Sequence, residues 1–173
     1  MKISKILSLL MAFVFVVGCA SKVQQTVTKP VTVQKTEVKT IYLKISHGPG
    51  VNADGAYVNA EKELSDAIIQ KVKVKLPKTN IITTQKPVAG LEADVVINEF
   101  NYISGAARIF AGALSGKAKL GAKVTLTDIA SNKNLGETDL GTSSKFSEGI
   151  FGGTSSRQID ALAEQIVALI KAP

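Results

Sequence analysis

The chain has 173 residues, with 21 Lys and Arg against 14 Asp and Glu, a formal net charge of +7, one histidine and one cysteine. That length suits one domain with a real core plus a short appendage. A single thiol excludes a disulfide framework, and one thiol with one imidazole gives no zinc donor set. No Arg/Lys cluster is interleaved with aromatics, so nucleic acid is not an expected partner.

Lys2 and Lys5 precede an apolar run from Ile6 to Val17, broken only by Ser8. This is the layout of a secretory leader, and it falls short of the ~20 residues needed to span a bilayer core. The run ends in Val16-Val17-Gly18-Cys19-Ala20. That stretch resembles the lipobox of bacterial lipoproteins, with Val16 where Leu is commoner. The resemblance implies signal cleavage between Gly18 and Cys19, diacylglycerol on the Cys19 thiol, and acylation of the new amino group. Two or more acyl chains anchor stably, at ~0.8 kcal/mol per buried methylene. Ala20 and Ser21 follow with no aspartate; the same resemblance then implies the outer membrane, with the domain facing the periplasm. Without Lys2 and Lys5 the basic excess falls to five over the 14 acidic residues. Scattered lysines of that number suit solubility, and they equally suit contact with anionic envelope material.

Residues 19–39 are rich in Thr, Val, Gln and Lys, contain Pro30 and lack glycine and aromatics. They read as a flexible tether. The alternation of Val31 and Val33 leaves a second reading open, an edge strand added to the domain. A single α/β domain is expected over 40–173. Ile41, Leu43 and Ile45 alternate with Tyr42 and Lys44 as a half-buried strand, which His47-Gly48-Pro49-Gly50 ends. Asn59 is expected to cap a helix from Ala60 to Leu76, with Leu64, Ala67, Ile68, Lys71 and Val72 along one stripe and Pro77 stopping it.

Asn80–Thr84 reads as a short strand. Ala93–Ser104 reads as a longer one, apolar on both faces at Val95, Val96 and Ile97 and therefore central. Ala118, Leu120, Ala122, Val124 and Leu126 alternate with polar residues or glycine, predicting a strand with one buried face. Ser131-Asn132-Lys133-Asn134 reads as a hairpin turn, with Leu135–Lys145 pairing back. Ser155 and Gln158 have capping-box spacing ahead of a last helix striped by Ile159, Leu162, Ala163, Ile166 and Ile170. The fold expected is α+β: one mixed, mostly antiparallel sheet of four to five strands with two helices packed on it.

From Arg108 onward the chain has an arginine before a small-residue segment, an alternating strand ending in Asp128, Leu135-Gly136, the stretch Gly149-Ile150-Phe151-Gly152-Gly153 and an amphipathic last helix. In this it resembles the bacterial lipoprotein family known as domain of unknown function 4410. The element order also resembles the periplasmic domains of the curli-secretion lipoprotein and of lipoprotein activators of peptidoglycan synthases, a likeness of fold that does not transfer function.

Chemistry is sparse. His47 sits beside a Gly-Pro-Gly turn and reads as a turn residue. Gly112–Ala118 fails the phosphate loop, with three residues between its glycines and Ala118 where Ser or Thr would hold magnesium. Glu137 and Asp139 share a strand face as a general-acid pair would, a face on which charges ordinarily solubilise. Asp128 is expected to organise the following turn. No catalytic residue, metal, cofactor or small-molecule substrate is expected.

Arg108, Ile109, Phe110, Ile150 and Phe151 lie within two glycine-rich loops. They are expected either to lid the core or to form a docking patch for an envelope protein or the membrane. The chain therefore reads as a non-catalytic cell-envelope lipoprotein that binds or scaffolds, anchored in the membrane through its N-terminal lipid. Two alternatives stand beside it. One is a subunit of an oligomeric outer-membrane export assembly, for which only Lys117–Lys145 offers a crossing hairpin; the other is a cell-wall-acting enzyme using Glu137 and Asp139.

Overall fold

A computed structural model describes residues 23–32, 38–101, 119–143 and 154–172. In chain order the elements are β1 (Val23–Lys29), β2 (Thr40–His47), α1 (Gly55–Lys75), β3 (Asn80–Ile82), β4 (Leu91–Asn101), β5 (Lys119–Asp128), β6 (Lys133–Ser143) and α2 (Thr154–Lys171). The strands form one sheet in the order β1-β6-β5-β4-β2-β3. Strand β2 runs parallel to both β3 and β4, and every other pairing is antiparallel.

The period-2 pattern decides which face is buried. Leu91, Ala93, Val95 and Ile97 of β4 face the helices, beside Leu120, Ala122, Val124 and Leu126 of β5. Ile41 and Leu43 of β2 and Leu140 of β6 complete that surface. Val96 of β4 is only half-buried, on the opposite face, so β4 is central but not equally apolar on its two sides. The opposite face carries ion pairs: Lys44–Asp94 at 3.4 Å, Lys86–Glu92 at 2.6 Å and Lys123–Glu137 at 2.7 Å.

The α+β class stands as expected, but the sheet has six strands rather than four or five. The added one is β1. Over Val23–Lys29 the tether reading gives way to the edge-strand alternative, with registered pairs from Val23↔Thr142 to Lys29↔Glu137. Beyond it the Thr32 amide donates to the Leu135 carbonyl at 2.7 Å, and the chain crosses Gly136 so closely that a Cβ there would lie 2.8 Å from Val31. Glycine at 136 lets the N-terminal segment lie flat on β6. Residues 19–22 and 33–37 of the expected tether fall outside the described residues.

Helix α1 starts five residues earlier than the pattern suggested. Asp54, not Asn59, is its cap, accepting hydrogen bonds from the Ala56 and Tyr57 amides at 3.0 Å each. The apolar pattern is silent over this first turn, because it presents only Tyr57 to the core. The helix closes where the Leu76 amide donates to Val72 at 2.7 Å, just before Pro77. Tyr57, Ala60, Leu64, Ile68 and Val72 form its buried stripe.

The two helices touch through Lys71, 2.7 Å from Asp160 and 3.5 Å from Glu164, and through a Lys75–Glu164 ion pair. Helix α2 already includes Thr154, so Ser155 lies in its first turn, and Gln158 is buried.

Candidate functional site

One end of the sheet gathers the features with functional potential. Across it the register aligns Val23 of β1 with Thr142 of β6, Leu120 of β5 and Phe100 of β4. His47 closes β2 on the same side, opposite Ile97. Both glycine-rich connections leave from this end, one between Asn101 and Lys119 and the other between Ser143 and Thr154. The expected contact residues Arg108, Ile109, Phe110, Ile150 and Phe151 belong to those connections and lie outside the described residues, as do Gly18, Cys19 and the Gly112–Gly116 segment.

Beneath this end three aromatic rings interlock. Tyr57 meets His47 edge-on at 5.6 Å and Phe100 edge-on at 5.5 Å, joining the first turn of α1 to the ends of β2 and β4. Such T-shaped pairs add about 0.5–1.5 kcal/mol beyond the area they bury. Burial first, and then the nearby Glu61 carboxylate, together push the Tyr57 hydroxyl up to about 12, although the two groups fall short of full hydrogen-bond geometry. A phenol held that high stays protonated and brings no base.

His47 keeps the character of a turn residue. Its Nδ1 lies 3.4 Å from the Gly48 carbonyl, and the Gly48 amide donates to Ile97 at 2.8 Å. The aromatic cluster is absent from the sequence reading because Tyr57 and Phe100 stand at element ends, outside any long apolar period. The signal for Tyr57 was its spacing three residues after Asp54, the span of an N-cap contact.

The carboxylates are spoken for locally. Glu137 pairs with Lys123, whose ammonium it raises above the ordinary lysine range through a hydrogen bond and its charge. Asp139 accepts a hydrogen bond from Thr28 Oγ1 at 3.0 Å, so it ties β1 to β6. Asp128 organises the β5–β6 turn as expected, accepting from the Ser131 amide at 2.7 Å and the Ser131 hydroxyl at 2.5 Å, next to Asn132 at φ 52°. Among the described residues no three potential metal ligands cluster, and no helix is long and apolar enough to cross a membrane.

The chain matches no known family model and no curated protein. Among solved structures it is similar in fold to the PelC dodecamer from Paraburkholderia phytofirmans, at 14% identity and a TM-score of 0.52, over 88% of this chain and 99% of that one. A protein of the unknown-function family 330 from Xanthomonas campestris also aligns, at 11% identity and a TM-score of 0.49, over 83% of this chain and 90% of the other. The PelC likeness shows a common α+β arrangement.

Proposed function

We propose that this is a lipid-anchored envelope protein, held through Cys19 at the periplasmic face of the outer membrane, whose domain binds or scaffolds other envelope components without catalysis. The observation that carries the reading is the position of Val23. It stands at the sheet end from which both glycine-rich connections depart. Only residues 20–22 separate it from Cys19, a reach of roughly 15 Å when fully extended. A lipid on Cys19 would keep that end of the domain against the bilayer. The lipobox-like stretch ending at Cys19 supports the same reading. Cys19→Ala should move the protein from the membrane to the soluble fraction on cell fractionation; an unchanged partition would overturn the anchoring.

A second reading, as a subunit of an oligomeric outer-membrane assembly, draws on the fold neighbour solved as a dodecamer. In that reading the β5–β6 hairpin is not a membrane-crossing element, because its apolar side chains Leu120, Val124, Leu126 and Leu140 are buried in the core. Association between domains is the form that remains.

A further inference from the structure

Strand β3 pairs with β2 only over Thr40, Ile41 and Tyr42. The Gly48 amide bonds toward β4, and the Lys39 carbonyl receives the Asn80 amide on the β3 side. Alternation along the strand then points the backbone groups of Leu43, Ile45 and His47 away from β4. Past β3, that edge has no ladder partner among the described residues. An open groove of about 430 Å³ runs beside it, between Leu43 and Ile45 of β2 and Val58, Glu61 and Ser65 of α1.

Among the described residues the sheet has a second free edge, the outer side of β1. We propose that copies of this chain associate head to tail by continuing the sheet, β1 of one copy pairing with residues 43–47 of β2 in the next. Four features of the molecule select this partner. A seven-residue strand is long enough to span a five-residue free edge. The faces match: Val23, Gln25 and Val27 share the helix side of the sheet through their partners Thr142, Leu140 and Thr138, and Leu43 and Ile45 share it in β2. On the open side Gln24 and Thr26 meet Lys44 and Ser46. Both edges also carry an exposed apolar side chain, Val27 at 49% and Val58 at 56%, and the pairing brings these to one groove.

Direction supplies the fourth feature. Within the sheet β1 runs antiparallel to β2, so continuation places Val23 of every copy at the same end. An antiparallel β2–β2 pairing about a two-fold axis would turn the two Val23 ends in opposite directions. Of these two forms the head-to-tail one keeps all the lipids on one bilayer, and in this choice of direction the inference rests on the anchoring proposed above. Main-chain bonds supply the affinity, and confinement to the membrane raises the effective concentration enough for a modest interface. A head-to-tail contact closes into a ring when its rotation allows.

The test uses the full chain in cells, with Cys19 intact, carrying Val27→Cys, Ile45→Cys or both, treated with a short bis-maleimide. A ladder of dimers, trimers and higher species in the double variant, with monomers only in each single variant, is expected. Dimers from either single variant, or no ladder from the double, would overturn the proposal. As a fold-preserving control, Val58→Glu on the exposed face of α1 should lower the mass of the detergent-extracted protein several-fold to that of a monomer, with its thermal unfolding unchanged; an unchanged mass counts against the groove. Fractionation of Cys19→Ala in parallel separates the two readings. Release from the membrane without a ladder in the lipidated double variant leaves anchoring standing and removes the pairing, and the converse result removes the anchoring alone.

Discussion

The two helices cover one face of one sheet, yet they are built to different depths. Helix α2 buries Ile159, Leu162, Ala163, Ile166, Val167, Leu169 and Ile170 within 18 residues. Helix α1 has 21 residues and buries five, Tyr57, Ala60, Leu64, Ile68 and Val72, at a spacing of three or four. The broad arc belongs to a helix with core on several sides, packed on α1, β1, β5 and β6. The narrow stripe belongs to one that lies beside the sheet margin and leaves Val58 and Val74 in solvent. Amphipathic width thus reports how much of a helix the core surrounds.

Substitutions along the two helices break or sharpen that contrast. Ile166→Ala, at a fully enclosed site, should cost about 3–4 kcal/mol in denaturant unfolding. Leu64→Ala, equally buried but beside the groove, should cost about 2–3 kcal/mol because its surroundings collapse more easily. Equal losses would show that α1 is as deeply set as α2.

Gly136→Val tests the cover that the N-terminal segment gives β6 beneath α2. The added atoms would meet Val31, so a loss of about 1–3 kcal/mol is expected, with faster proteolytic clipping between β1 and β2. Asp54→Ala removes the α1 cap for about 1 kcal/mol, read as a lowered melting temperature.

The smallest effect lies where the helices meet. Lys75 and then Lys71 hold the Glu164 carboxyl below the ordinary carboxylate range, while Asp160 chiefly raises Lys71. A carboxyl lowered by folding stabilises the protein above its unfolded pKa, and that contribution disappears as the pH falls through the folded value. Glu164 is 42% exposed, so solvent screening keeps the contribution below about 1 kcal/mol. Glu164→Gln should flatten the acid limb of the stability–pH curve by that amount; an unchanged limb would remove the bridge as a contributor.

The elements with strict periods were legible in the sequence: the α2 stripe, β5 with its one buried face, and β2. What escaped was decided by contacts remote in sequence. Val23–Lys29 has the composition of a linker and becomes a strand because β6 offers it a free edge and Gly136 lets the chain beyond lie close. The first turn of α1 was hidden because one capping carboxylate and one aromatic, Asp54 and Tyr57, hold it. Of the candidate site, Cys19 and the two apolar pairs were visible as residues, but only the topology brings their flanking strands to one end. The free edge of β2 had no signature, since it arises from β3 stopping after three residues.

Strand β1 also sets the mechanics of the molecule. A load on the chain ahead of Val23 runs along the strand axis, while its hydrogen bonds to β6 lie across that axis. Such a pull shears the registered pairs from Val23 to Lys29 together instead of opening them one after another. The Thr28–Asp139 hydrogen bond and the bond from the Lys29 ammonium to the Asn134 carbonyl, at 2.8 Å, brace the far end. The segment whose composition reads as slack is thus the part of the fold arranged to bear tension.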